Sequence, residues 1–554
     1  MKIRFSLAFA AVILSACSAL PTAPSEPVKV RVLAINDFHG NLLPPPGGIR
    51  IRDPQDHQKT LSVSAGGAEH LATAVRDLMA QNPNHVFVAA GDLIGASPLL
   101  SALFFDEPTI ESLSMMGLEI SAVGNHEFDH GLTELLRKQN GGCHPLEGCK
   151  GPTQFKGASF QYLAASTWDT RSGKTVFPAY QVKSFQGVPV AFIGLTLKGT
   201  PGIVMPSGVA GLRFDDEAST VNHLVPELKA KGIQTIVVLI HEGGVPTGDY
   251  NECPGISGAI VDIVKHLDKA VRLVISGHTH RAYNCNIDGR LVTSGDKYGT
   301  LVTSIDLELD AKTRELISAK ADNVIVRTEQ FAKDAAQTQL IAGYEKVAAP
   351  LINRVVGSIV ETISRDANSA GASPMGELVA DAQLKATAAP DQGGAQIAFM
   401  NTGGVRQALA FKSGGAVTYG DVFSVQPFNN NLITMTLSGD QIRRLLEHQW
   451  RGANSRGVFL YVSQGFGYTW DASKPVGSRV AVESIKLNGR PLDLKADYRV
   501  TVNAFVASGG DGFKLFTEGR SPLVGMPDVD ALALYMQAHP GLKPSALDRV
   551  KRMD

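Results

Sequence analysis

Five apolar runs in the first half of the chain each end in a short polar cluster, and this arrangement limits the fold more than any other feature. Val30 to Ile35 leads into Asn36-Asp37-Phe38-His39-Gly40-Asn41, and Val86 to Ala90 leads into Gly91-Asp92. Ile120 to Val123 leads into Gly124-Asn125-His126-Glu127-Phe128-Asp129. Ile236 to Ile240 leads into His241-Glu242-Gly243-Gly244, and Val271 to Ile275 into Ser276-Gly277-His278-Thr279-His280. Short β-branched runs alternating with helix-like stretches predict stacked α/β layers. Sites in such folds form beyond the carboxyl ends of the strands. A sixth run, Val190 to Leu195, ends without candidate ligands and reads as a scaffold strand.

The clusters bring Asp37, His39, Asp92, Asn125, His241, His278 and His280 to one edge. Strand alternation predicts that Asp37 and His39 point the same way, as do His278 and His280. Neighbouring glycines permit sharp turns and close approach of backbone. Mixed carboxylate, amide and imidazole donors suit Zn, Mn, Fe or Co better than Ca or Mg alone. Seven donors are too many for one tetrahedral ion. Two ions sharing a carboxylate fit better, and such pairs sit roughly 3.5–4 Å apart. Each cluster alone says little; their ordered set after five strands says much more.

The order D-x-H, GD, GNHE, H and GH-x-H resembles the calcineurin-like metallophosphoesterases. The forms Asn36-Asp37-Phe38-His39-Gly40, Gly124-Asn125-His126-Glu127-Phe128-Asp129 and Ser276-Gly277-His278-Thr279-His280 are similar to those of the 5′-nucleotidase family. That resemblance implies a four-layered metallophosphoesterase domain with two sheets between helices, a linking helix, and a second α/β domain that binds the nucleotide. It implies that Asp37, His39 and His280 hold one divalent ion, that Asn125, His241 and His278 hold the other, and that Asp92 bridges them. Some members carry Gln where His280 stands. His126 resembles the family's catalytic histidine, which stabilises charge on the phosphate or leaving oxygen, with Asp129 orienting it. Read from sequence alone, Asp129 also suits a helix N-cap or a turn.

A helical pattern over 329–356, carrying Phe331, Leu340, Ile341, Tyr344, Val347 and Leu351, marks the linking helix between units at 28–328 and 357–554. Three further apolar runs follow, Gln396 to Met400, Leu432 to Leu437 and Tyr498 to Val502. Gly-rich loops carry Arg406, Phe428, Asn430, Phe505 and Asp511. Spare aromatics in such loops are usually core. The resemblance instead implies that Phe428 and Phe505 sandwich a base, Asp511 binds ribose hydroxyls and Asn430 contacts the base. It sets Arg406, and with it Arg365, toward the phosphate, which a planar guanidinium suits. It also implies a large rotation of one domain against the other. Two departures stand out: Ser369 occupies a position where some nucleotidases have arginine, and Glu377 replaces Asn in the family's GNLIADA stretch. Both argue against tight binding of polyphosphates.

The remaining features concern address and partners. Among 554 residues the formal net charge is −1. No charge field points to a nucleic-acid polymer or a membrane surface, and no protein partner is inferable. Lys2 and Arg4 precede an apolar run from Phe5 to Leu14, a signal-peptide layout. Leu14-Ser15-Ala16-Cys17 resembles a bacterial lipoprotein processing box, which implies residues 1–17 as leader, Cys17 as lipidation site and 18–27 as tether. An ordinary signal peptide is the alternative. Cys143, Cys149, Cys253 and Cys285 then remain, and four cysteines allow three pairings. Local pairing of Cys143 with Cys149 and of Cys253 with Cys285 is simplest. Disulfides suit an exported, oxidising compartment. The expected activity is removal of phosphate from extracytoplasmic nucleotides. Rivals are 2′,3′-cyclic nucleotides, nucleotide diphosphate sugars or a thiosulfonate ester at the same site, or a non-catalytic surface-binding lipoprotein.

Overall fold

A computed structural model describes residues 26–56, 58–450 and 457–553. The leader, Cys17 and most of the 18–27 tether lie outside the described residues. Two six-stranded sheets build the first half. One runs in the order Leu316–Ile325, Leu301–Leu309, Val28–Ile35, His85–Ala89, Ile120–Ala122, Gln161–Leu163. The other runs Ala282–Ile287, Arg290–Gly295, Val271–Ser276, Thr235–His241, Val188–Thr196, Tyr180–Phe185.

Side-chain alternation explains the layering. Val30 and Val32 point inward with Val86 and Val88, where they meet Val190, Phe192, Val237 and Leu273 of the facing sheet. Leu33 and Ile35 point outward with Phe87 and Ala89 to a layer containing helix Ala68–Met79. On the opposite side Ile193, Ile236 and Val238 meet helices Glu217–Ala230 and Ala259–His266. The result is the four-layered arrangement expected from the sequence. Phe192 is fully buried between the sheets. Phe192→Ala is expected to cost about 3–5 kcal/mol, read from urea unfolding of the first transition.

Parallel register then aligns the strand ends. Ala34 pairs with Val88 and Ala89 with Ser121, so the loops after all three strands emerge together. In the second sheet Thr196 pairs with His241 and Ile240 with Ser276.

The linking helix is shorter than its sequence pattern, spanning Ala335–Ile352. Asp334 sets its start by accepting the Ala336 and Gln337 N–H groups, a normal N-cap. Phe331 is buried but lies in the preceding turn, and Val347 is exposed rather than packed. Beyond it stands a five-stranded sheet, ordered Leu460–Val462, Ile397–Asn401, Asp497–Asn503, Asn431–Ser438, Arg520–Pro527. Ile397 pairs in parallel with Val500, and Leu432 lies opposite Asn503. The ends of two strands and the start of a third therefore meet at one edge, which carries Arg406, Phe428 and Phe505. Cys143 is bonded to Cys149 and Cys253 to Cys285. Among the described residues no helix is long and apolar enough to cross a membrane.

Candidate active site between the two halves

The seven candidate ligands converge, but not through strand alternation. The strands end at Ile35 and Ser276, so Asp37, His39, His278 and His280 stand in the loops beyond. Asp37, His39, Asp92, His278 and His280 all have left-handed backbone, with φ of 51°, 47°, 50°, 71° and 53°. Non-glycine residues hold such angles only where the surroundings enforce them, and they gather at functional sites. Here the first loop is bonded to the second: Asp37 and His39 donate their N–H groups to Gly91 and Asp92 carbonyls. Phe38, between them, is buried in the core. The glycines permit contact as well as turning. A Cβ on Gly124 would fall 2.2 Å from Asp92 Oδ1.

Three groups of side chains could hold a metal ion: Asp37, His39 and His280; His39, Asp92 and His126; and Asp92, His241 and His278. His39 Nδ1 donates to the Gly95 carbonyl, so its Nε2 lone pair faces His280 Nε2 at 3.1 Å. His241 Nδ1 donates to the Ala90 carbonyl, turning Nε2 toward Asp92 Oδ2 at 2.9 Å and Asn125 Oδ1 at 3.1 Å. His278 Nδ1 lies 3.1 Å from the same Asn125 oxygen. Bare lone pairs turned on one another are what a cation satisfies, so this donor set fits divalent ions.

The electrostatics favour that fit at His39, His278 and His280 and oppose it at His241. Burial holds His39 and His280 far below the usual imidazole range. Burial and the neighbouring His241 push His278 down to about 4. Neutral imidazole is the form that ligates. Burial opposes charge on His241 too, yet Asp92 prevails and lifts it to about 10.

His126 differs from the other candidate histidines in having a carboxylate on Nδ1. Its Nδ1 lies 2.8 Å from Asp129 Oδ2. Burial disfavours its cation, but Asp129 and then Asp92 outweigh burial and raise its pKa. Asp129 caps nothing: the following helix, Gly131–Asn140, starts at His130 without a side-chain cap. One face of His126 stacks on Phe428, with ring centroids 5.6 Å apart.

A cavity of about 330 Å³ joins the halves. Asn125, His126, Asp129 and His278 line one side; Arg406, Phe428, Asn430, Phe505 and Asp511 line the other. The Arg406 guanidinium carbon lies 5.8 Å from the Phe428 ring centre and acts electrostatically on His39, His126 and His280. Asp511, itself at φ 51°, accepts a hydrogen bond from Asn401 at 2.7 Å. Arg365 is absent from the lining; its guanidinium donates to the Arg406 carbonyl at 2.6 Å. Glu377 also stands apart. It is buried on helix Pro374–Thr387, 3.3 Å from Arg549, so this carboxylate adds no charge to the cavity.

Several participants escaped the sequence reading. Glu127 accepts three backbone N–H groups, from Asp92, Leu93 and Gly124, and so ties the second loop to the third. It was visible within the GNHE cluster. Asn36 bridges Asp37 Oδ2, the Asp296 carbonyl and Gly295 N–H. Tyr298 packs edge-on against His39 and His280. The scaffold strand Val188–Thr196 leads to Ile203, Val204 and Met205, which line the cavity. Apolar loop residues gave no local signal.

Comparison with known proteins now decides the lineage. The model of the calcineurin-like phosphoesterases matches residues 30–282, and that of the 5′-nucleotidase C-terminal domain matches 354–518. The chain belongs to the 5′-nucleotidase family. A Vibrio cholerae 5′-nucleotidase is 24% identical over 575 residues, covering 96% of this chain and 95% of the relative. The protein named endonuclease YhcR of Bacillus subtilis is 33% identical over 521 residues, 93% of this chain; the chain spans 40% of that longer protein. The crystal structure of a 5′-nucleotidase precursor from Thermus thermophilus superimposes with a TM-score of 0.77 at 27% identity, covering 95% of this chain and 99% of the other. As a 5′-nucleotidase family member the chain is a metal-dependent phosphoester hydrolase.

Proposed function

We propose that the protein removes phosphate from nucleotides outside the cytoplasm, using two divalent ions drawn from Zn, Mn, Co or Fe. Asp37, His39 and His280 hold one ion in this reading, Asn125, His241 and His278 the other, and Asp92 lies between them. Such ions supply an activated water and neutralise charge on the phosphate. The chain's own residues do the rest. His126, with Nδ1 fixed by Asp129, keeps Nε2 for a proton donated to the phosphate or leaving oxygen. Arg406 sets its planar donors toward the phosphate, with Arg365 fixing its backbone. Phe428 and Phe505 offer flat faces to the base, Asp511 takes ribose hydroxyls and Asn430 the base edge.

The observation that carries this reading is that one cavity is lined both by His126 and by the two phenylalanines. A cavity of about 330 Å³ between two domains suits one nucleotide better than a polymer strand, despite the relative named an endonuclease. Units 28–328 and 357–554 turn about the helix between them to admit substrate and release product. Closure also excludes water from the site. Residues 1–17 direct export and Cys17 carries lipid, with 18–27 as tether; the two disulfides accord with an oxidising compartment.

The experiment that tests the nucleotide assignment changes both rings. Base–aromatic stacking is worth about 1–3 kcal/mol per base. Phe428→Ala with Phe505→Ala is expected to reduce kcat/KM for a nucleoside monophosphate at least tenfold. Turnover of p-nitrophenyl phosphate should stay within about threefold. Equal loss on both substrates would remove the stacking role and leave only a general phosphoesterase.

A further inference from the structure

Asp106 is placed at a cost that its own helix does not explain. It precedes helix Glu107–Met115 in left-handed backbone, with φ 61° and ψ 13°. An aspartate at that position ordinarily caps the first turn, but its side chain makes no capping hydrogen bond. The residue is buried, and its carboxylate turns toward the site instead. One oxygen accepts the Gly95 N–H at 3.2 Å, and the other accepts the Ser101 hydroxyl at 2.6 Å.

Gly95 is the residue whose carbonyl receives His39 Nδ1 at 2.8 Å. It also lies against the other half of the machinery. A Cβ on Gly95 would fall 2.8 Å from Asp129 Oδ2 and from His126 Cβ. Its N–H therefore meets Asp106, its carbonyl meets His39, and its Cα meets the His126–Asp129 pair. Outer partners of a ligating histidine fix the ring's tautomer and direction and raise its basicity.

We propose that Asp106 is a positioning residue for His39, acting by fixing the backbone of Gly95. By holding the Gly95 N–H, Asp106 fixes one peptide plane, and the left-handed φ of 80° at Gly95 then sets the next plane, whose carbonyl keeps the proton on His39 Nδ1. Nε2 is thereby left bare and aimed at the metal group. The left-handed turn at Asp106 is the geometry that lets the carboxylate reach Gly95 rather than the helix end.

This inference rests on His39 being a metal ligand, so the test measures metal binding directly. The full chain is stripped with chelator and titrated with Mn²⁺ by calorimetry, with thermal unfolding of each metal-free variant followed in parallel. Asp106→Ala is expected to weaken Mn²⁺ affinity about 10–100-fold, the usual range for losing an outer partner. Asp106→Asn, which keeps the shape without the charge, should weaken it at least threefold and serves alone should the alanine variant not fold. Ser101→Ala removes the other partner of the same carboxylate. It should lower Tm without moving the affinity beyond twofold. Wild-type affinity in the Asp106 variants, or equal loss in Ser101→Ala, overturns the proposal. A wild-type protein that binds no Mn²⁺, Zn²⁺ or Co²⁺ overturns the metal reading beneath it.

Discussion

His126→Ala is expected to lower kcat on a nucleoside monophosphate by about 10²–10⁴-fold, the usual worth of a positioned general acid or base. Metal content should not change, because in the proposed reading His126 Nε2 serves the phosphate or leaving oxygen while Asp129 holds Nδ1 at 2.8 Å. The same variant loses its stack on Phe428, so a modest rise in KM should accompany the fall in kcat. Asp129→Asn should show a smaller loss, since the amide still meets the ring but no longer favours its cation. A His126→Ala protein with full turnover would return the rival reading, a surface-binding protein that keeps metals for structure.

The second large effect concerns Asp92. Its Oδ2 lies 2.9 Å from His241 and 3.7 Å from His39, and its Oδ1 accepts the His126 N–H. The carboxylate thus belongs to two of the three candidate metal groups and reaches the loop that carries His126. Burial works against its charge, but His241 and His126 hold it well below the usual carboxylate range. Asp92→Ala is expected to lose at least the roughly 10–100-fold in metal affinity that an outer partner costs, and to abolish measurable turnover. Elemental analysis after dialysis should find fewer than two ions per chain. Two ions retained with activity would exclude Asp92 from the space between them.

Much of this was legible in the chain because the information is local. Apolar runs of strand length fixed which residues form parallel neighbours, and parallel neighbours must release their loops at one edge. The order of Asp, His and Asn after those runs then marked the candidate ligands. Backbone conformation was not legible. Alternation beyond Ile35 predicted the right direction for Asp37 and His39 through the wrong geometry, since left-handed loop residues held by Gly91 and Asp92 carbonyls achieve it. Partnerships at long separation were equally hidden. Nothing near Glu377 in sequence announces Arg549, and nothing near Arg365 announces that it binds the Arg406 carbonyl. Asp129 was ambiguous for the same reason, as cap and orienting partner demand one residue type at one spacing. Cys143 and Cys149 were readable because their loop is short, and Cys253 and Cys285 because the remaining pair had one simple choice.

The central claim is a metal-dependent nucleotide phosphatase, and phosphate release tests it most directly. Chelator-stripped protein would be reloaded separately with Mn, Zn, Co or Fe and offered nucleoside monophosphates, 2′,3′-cyclic nucleotides, nucleotide diphosphate sugars and single-stranded DNA. Phosphate freed from a nucleoside monophosphate by at least one loaded form, absent from the stripped protein and slowed about 10²–10⁴-fold in His126→Ala, is the predicted result. No phosphate from any nucleotide under any metal, or equal release by the stripped protein, would contradict it.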